Sequence, residues 1–177
     1  MTLTCMAKSV LTGLISLAVL STGCASLETI PTSRLETIIE RNMLNCGVSG
    51  KIPGFSFLKS NGQYEGLDVD ICRAMAAGIL SDSEKVRYRP LTTNERFTAL
   101  KTGEIDILSR NTTFNLSRDS IGGNGLTFAP VIFYDGQGLM VKKSSGIRTL
   151  EDLSGSNICV GSGTTTEQNL NDAFQER

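Results

Sequence analysis

The residues best equipped for chemistry form one run, Arg110-Asn111-Thr112-Thr113-Phe114-Asn115-Leu116-Ser117-Arg118-Asp119. Hydroxyl, amide and two guanidinium groups follow directly on the apolar stretch Ile105 to Leu108. A short apolar run with polar flanks reads as a buried strand. In an open α/β sheet, ligands sit in the crevice at the carboxyl ends of the strands. Arg118 there can grip a carboxylate through two parallel hydrogen bonds. Thr113 and Asn111 would complete the cradle, with Arg110 beside them. The same residues also suit an ordinary solvated loop with two surface arginines, because polarity is common in loops.

A second candidate is Gly161-Ser162-Gly163-Thr164-Thr165-Thr166-Glu167, between the apolar Ile158–Val160 and a helical pattern through Leu170 and Phe174. A strand-to-helix turn of this kind offers free N–H groups to an anion. A phosphate loop needs a lysine after its second glycine, and Thr164 stands there instead. The turn suits a carboxylate, and it equally suits plain N-capping by Thr164 or Thr165.

Other chemistries are excluded or weakened. The 177 residues contain no histidine, which removes Ser-His-Asp and Cys-His catalysis and most zinc sites. No metal site and no cofactor is expected. A net charge of −1 gives no electrostatic case for nucleic acid. Asp68 and Asp70 diverge at their spacing and suit capping and the helix dipole rather than paired acid–base work. Glu95, Glu104 and Asp106 flank apolar positions and read as solvated.

The elements that must position these groups follow from periodicity. Ser33 and Glu36 have capping-box spacing at the start of a helix over Thr32–Met43, with Leu35, Ile38, Ile39 and Met43 as its apolar stripe. Leu44–Val48 is a strand. Gly50, Pro53, Gly54 and Gly62 mark a loop holding Phe55 and Phe57. Asp68 suits the N-cap of a helix carrying Cys72, Met75, Ala76 and Ile79. Val86–Leu91 is a strand, and a further helix starts at Thr93 or Asn94, turns Phe97 and Leu100 inward and stops at Gly103. With Ile105–Leu108, the order β-α-β-α-β predicts a parallel sheet flanked by helices. Phe128–Phe133, Leu139–Val141 and Ile158–Val160 read as further extended segments, and Leu150–Leu153 as one helical turn. Tyr134-Asp135-Gly136-Gln137-Gly138 breaks the pattern and suits a hinge, since its two glycines make backbone rotation cheap.

Residues 1–25 read as an export signal. Lys8 is the only charge ahead of the apolar Val10–Leu20, and small residues follow. Cleavage after Ala25 and lipid modification at Cys24 are both open. Either places the chain outside the cytoplasm, where disulfides form. Cys46 on the first strand and Cys72 on the covering helix are expected to be bridged or to touch as buried thiols. Cys159 is expected to be free.

Six blocks of this sequence resemble one family. They are Leu44-Asn45-Cys46-Gly47-Val48-Ser49, Gly66-Leu67-Asp68-Val69-Asp70-Ile71-Cys72-Arg73-Ala74, Arg96-Phe97-Thr98-Ala99-Leu100, Asp106-Ile107-Leu108-Ser109-Arg110-Asn111-Thr112-Thr113, Tyr134-Asp135-Gly136-Gln137-Gly138 and Gly163-Thr164-Thr165-Thr166-Glu167. In this order they are similar to the solute-binding proteins of polar amino-acid ABC importers, above all the general L-amino-acid binders. The resemblance runs from about Thr29 to the end. It implies a two-lobed α/β fold of the periplasmic-binding-protein type that closes on a free L-amino acid. Residues 26–133 would form the first lobe, 134–138 the hinge and 139–177 the start of an incomplete second lobe. The partners implied are the amino acid and a membrane permease, with the protein itself a monomer.

By the same resemblance, Arg118 holds the ligand α-carboxylate, Thr113 and Asn111 are its neighbours, and Thr164 and Thr165 reach in from the second lobe. Phe55 matches a pocket wall, whereas Ile52 stands where some relatives carry a stacking aromatic. The acid that holds the ammonium group in relatives, and the partner of Cys159, would lie beyond Arg177, so a truncated product that binds weakly is expected. Two alternative functions share the fold: an exported enzyme of the dehydratase type, and a sensor domain of a membrane receptor.

Overall fold

The computed structural model describes residues 33–120 and 125–175. The export signal and Cys24 lie outside them.

The first helix, α1 (Arg34–Arg41), starts where the capping box predicts: the Ser33 hydroxyl accepts from Glu36 N–H, and the Glu36 carboxylate accepts from Ser33 N–H. Of its apolar stripe only Ile38 is buried. Leu35 and Ile39 are each 52% exposed, because the helix leans on the sheet along one narrow line. Strand β1 (Leu44–Val48) lies at the centre of a parallel sheet, between β5 (Val86–Pro90) and β6 (Ile107–Leu108). Leu44 pairs with Val86 and Val48 with Pro90, and on the other side Cys46 pairs with Ile107.

The two faces of β1 follow from its period of two. Leu44, Cys46 and Val48 face α2 (Leu67–Leu80) and pack with Cys72 and Ala76. Gly47 faces the other way, toward α3 (Arg96–Lys101), Leu91 and Ile105. A Cβ at Gly47 would meet the Ile105 Cδ1 at 2.5 Å, so the absence of a side chain is what admits this second core layer. Of the two alternatives for Cys46 and Cys72 the bridge is realised, with Cα atoms 6.2 Å apart, and Cys159 is free and exposed.

Three expectations for this half are corrected. The glycine-rich stretch is not a plain loop: β2 (Lys51–Ile52), β3 (Ser56–Leu58) and β4 (Tyr64–Glu65) form a small antiparallel sheet. Asp68 does not cap α2. The N-cap is Gly66, and the carbonyls of Gly54 and Phe55 accept from Leu67 and Asp68 N–H. Gly66 has φ 117°, and a Cβ there would meet the Phe55 carbonyl oxygen at 2.4 Å, so only glycine lets that loop sit so close. Asp106 is buried, not solvated: it pairs with Arg41 and Arg34 and accepts from Asn45 N–H.

Beyond α4 (Leu116–Asp119), the apolar segments predicted as strands join no ladder among the described residues. Val131, Ile132, Phe133 and Met140 are all at least 48% exposed. One turn of 3-10 helix, Glu151–Leu153, stands where a helical turn was expected, and the last helix, α5 (Thr165–Gln175), follows the Gly161–Thr164 turn.

Candidate functional site

The strand order places the second strand, the first and the third side by side. The chain leaving β1 passes through α2 to β5 on one side while β6 lies on the other, so the carboxyl ends of β1 and β6 border the kind of crevice in which an open α/β sheet binds ligands. Ser109 through Arg118 leaves β6 at this edge, as the sequence predicts.

Arg118 is buried, at 6% exposure, because α4 turns it back under its own loop. Asn115 caps α4, its side-chain oxygen accepting from Arg118 N–H at 3.0 Å. One guanidinium N–H donates to the Thr113 carbonyl at 2.7 Å, and the guanidinium carbon stands 5.3 Å from the Phe97 ring centroid. Among the described residues the other guanidinium nitrogens make no hydrogen bond. Burial lowers the pKa of this group below the ordinary arginine range. A desolvated guanidinium with donors to spare has the chemistry to receive a carboxylate.

Arg110, at the start of the same loop, donates to the Leu91 carbonyl at 2.9 Å and, with two of its nitrogens, to the Asn111 side-chain oxygen at 3.3 Å. Asn111 thus orients Arg110. Across the crevice, Asp68 is 2% exposed and accepts from the Ser56 hydroxyl at 3.2 Å. Ser56 in turn accepts from the N–H groups of Ser49 and Gly50, which fixes the loop after β1 against the start of α2. Burial raises the Asp68 pKa, against the lowering pull of Ser56 and Arg110.

The turn before α5 reaches the same loop. The Thr165 hydroxyl donates to the Thr113 hydroxyl at 3.0 Å. Thr164 is spent on capping: its hydroxyl accepts from Glu167 N–H and donates to the Gly161 carbonyl. The capping reading of that turn is thus realised by Thr164, while the Thr165 hydroxyl is engaged with Thr113. Phe55 is half-buried and packs edge-on against Phe133, ring centroids 5.0 Å apart. Arg118, Thr113, Thr165, Asn111 and Arg110 are tied to one loop, while Thr164 serves the helix start and Phe55 packs with Phe133. An open cleft of about 580 Å³ lined by Leu150, Leu153, Ile158 and Phe174 shares none of these residues.

Sequence reasoning missed Arg96. It sits at the start of α3 and is 3% exposed. Its guanidinium lies over the Phe97 ring at 4.7 Å and donates to the Thr112 hydroxyl at 3.4 Å, while its Nε is buried with no partner. Burial, then the charges of Arg110 and Arg118, lower its pKa to about 10. A charged residue at a helix start normally reads as solvated. The available signal was three arginines near one strand end with no acid spaced to pair them.

The model of the bacterial extracellular solute-binding proteins, family 3, matches residues 44–176. The glutamate/glutamine/aspartate/asparagine-binding protein BztA of Rhodobacter capsulatus is 46% identical over 170 residues, which cover 96% of this chain and 48% of that protein. The general L-amino acid-binding periplasmic protein AapJ of Rhizobium johnstonii is 42% identical over the same shares of both chains. A solved periplasmic binding protein of an ABC transporter from Brucella ovis, with glutathione bound, superposes with a TM-score of 0.74 at 45% identity, over 80% of this chain and 44% of that one. The chain spans about half the length of the curated relatives it matches. With its parallel sheet, its arginine-bearing crevice and a match over most of its length, the chain belongs to the bacterial extracellular solute-binding proteins, family 3.

Proposed function

We propose that this chain binds a free L-amino acid outside the cytoplasm and presents it to the membrane permease of an ABC importer, acting as a monomer. One observation carries the reading: Arg118 is desolvated at the carboxyl edge of the sheet, holds one N–H on Thr113 and keeps further donors for a ligand carboxylate. Thr113 and Thr165 join the two segments that would enclose the ligand, and the names of the relatives support an amino acid as that ligand. Asn111 and Arg110 line the same loop, Thr164 holds the helix start and Phe55 forms a wall. A family named for binding favours capture over the dehydratase alternative.

Calorimetry with a panel of free L-amino acids tests this. The native chain should bind at least one member saturably, with the weak affinity the sequence leads one to expect, and Arg118→Ala should lose about 1.5–3 kcal/mol, the worth of a hydrogen-bonded charged partner. Unchanged affinity in that variant would remove Arg118 from the site.

A further inference from the structure

We propose that Ser56 and Asp68 are a positioning pair for the amino-acid site: they fix the turn after β1, and through it the start of the loop that carries Thr113 and Arg118. This rests on the reading of Arg118 as the group that receives the ligand carboxylate.

The direction of each hydrogen bond in the pair is fixed. A serine hydroxyl has one hydrogen to donate and two lone pairs with which to accept. Ser56 accepts from Ser49 N–H at 3.1 Å and from Gly50 N–H at 3.3 Å, which occupies both lone pairs. Its hydrogen therefore goes to the Asp68 carboxylate, 3.2 Å away. Position 68 has to supply an acceptor, which no apolar side chain does. Both residues are buried, Ser56 completely. The Asp68 end is itself anchored, because Leu67 N–H and Asp68 N–H donate to the carbonyls of Gly54 and Phe55.

From the turn, hydrogen bonds continue along the carboxyl edge of the sheet. The carbonyl of Val48, directly before Ser49, accepts from Leu91 N–H at 2.9 Å, and the Leu91 carbonyl accepts from Arg110 at 2.9 Å. The Gly47 carbonyl accepts from Ser109 N–H at 2.9 Å. The loop that leaves β6 is thus tied at Ser109 and Arg110 to the end of β1, directly or through Leu91. The end of β1 leads straight into the turn that Ser56 holds. Asp68 and Arg110, the charged ends of this series, attract each other.

Without the Ser56 hydroxyl, two N–H groups lose their acceptor and the turn is free to leave this geometry. A site whose competent form is only partly populated binds more weakly by that fraction. The pair therefore acts on affinity by holding the edge of the crevice in its binding geometry before the ligand arrives.

The test combines hydrogen exchange with calorimetry at pH 7, on the native chain, Ser56→Ala, Asp68→Asn and Asp68→Ala, with a panel of free L-amino acids. In the free native chain the Ser49 and Gly50 amides should exchange slowly. Ser56→Ala should speed both while Cys46 and Gly47 stay protected, and should weaken the best-bound amino acid by about tenfold. Asp68→Asn keeps an acceptor for Ser56, so it should retain more of the affinity than Asp68→Ala, with circular dichroism confirming that each variant is folded. Faster amides with unchanged affinity in Ser56→Ala would overturn the positioning role and leave the Arg118 reading standing. Rapid exchange of both amides in the free native chain would overturn it whether or not the variants fold. Absence of binding by every amino acid tested would overturn both readings.

Discussion

At the scale of single residues, Asp68 shows how a position can keep its sequence signal and change its meaning. Its place at a helix start predicts a cap, yet backbone carbonyls already surround that end of the helix, and the carboxylate turns inward to Ser56. Burial then favours its neutral form, so its folded pKa lies above the ordinary 3.8. For an acid raised on folding, the native state holds the proton longer than the unfolded chain does. The contribution of Asp68 to stability is therefore greatest below pH 3.8 and is lost as pH rises through the raised value. Asp68→Asn keeps a hydrogen-bonding side chain beside Ser56 without the titration. Urea unfolding at a series of pH values from 3 to 7 should show a stability loss with rising pH in the native chain, relative to Asp68→Asn. Parallel curves for the two proteins would show that Asp68 titrates normally. Arg96 makes the complementary point. Its type was visible, but its burial arises only when α3 and the loop after β6 meet, which no local spacing encodes.

At the scale of elements, the bridge between β1 and α2 is the firmest tie in the sheet half. Cys46 and Cys72 enclose a loop that contains the whole small antiparallel sheet, so the crosslink limits how far those short strands can separate. Reduction should cost about 2–4 kcal/mol of stability, the usual range for a native disulfide. Peptide mapping without reductant should recover a Cys46–Cys72 linked pair and an alkylated Cys159, and free thiols at both positions would sink the assignment. This bridge was legible because Cys46 fell on a predicted strand and Cys72 on the inward face of a predicted helix. The start of α1 and the bounds of β1 were legible for a like reason: a capping box and an uninterrupted apolar run are local signals. The strands of two or three residues between Lys51 and Glu65 were not. Their glycines signal turns, and such short ladders depend on partners that sequence spacing does not reveal. The extended segments between Phe128 and Val160 failed in the opposite sense: their apolar character is present, but a ladder needs a neighbour, and none of the described residues provides one.

At the scale of the whole molecule, stability is unevenly distributed, and function depends on that unevenness. The buried apolar residues concentrate between Ile38 and Ile105, around both faces of β1. Among the described residues after Leu126, only Leu153 is buried, and α5 contains no buried residue at all. Among the described residues, three hydrogen bonds tie α5 to segments beyond its own capping turn: Thr165 to Thr113, Gln137 to the Thr166 carbonyl, and Asn169 to Gln137. At about 0.5–1.5 kcal/mol each, they sum to less than the 5–15 kcal/mol typical of a domain core. Local opening of α5 should thus be far easier than global unfolding. Hydrogen exchange should find the amides of Cys46, Gly47 and Val48 protected to near the global limit, and those of Thr165–Gln175 exchanging orders of magnitude faster. A saturating L-amino acid ligand should slow the first turn of α5 and leave β1 unchanged, because a ligand on Arg118 and Thr113 binds best when Thr165 is docked, and so shifts the population toward that state. If α5 exchanged as slowly as β1 in the free protein, or if ligand protected β1 and not α5, the second segment would be a rigid part of the sheet half rather than the movable side of the site.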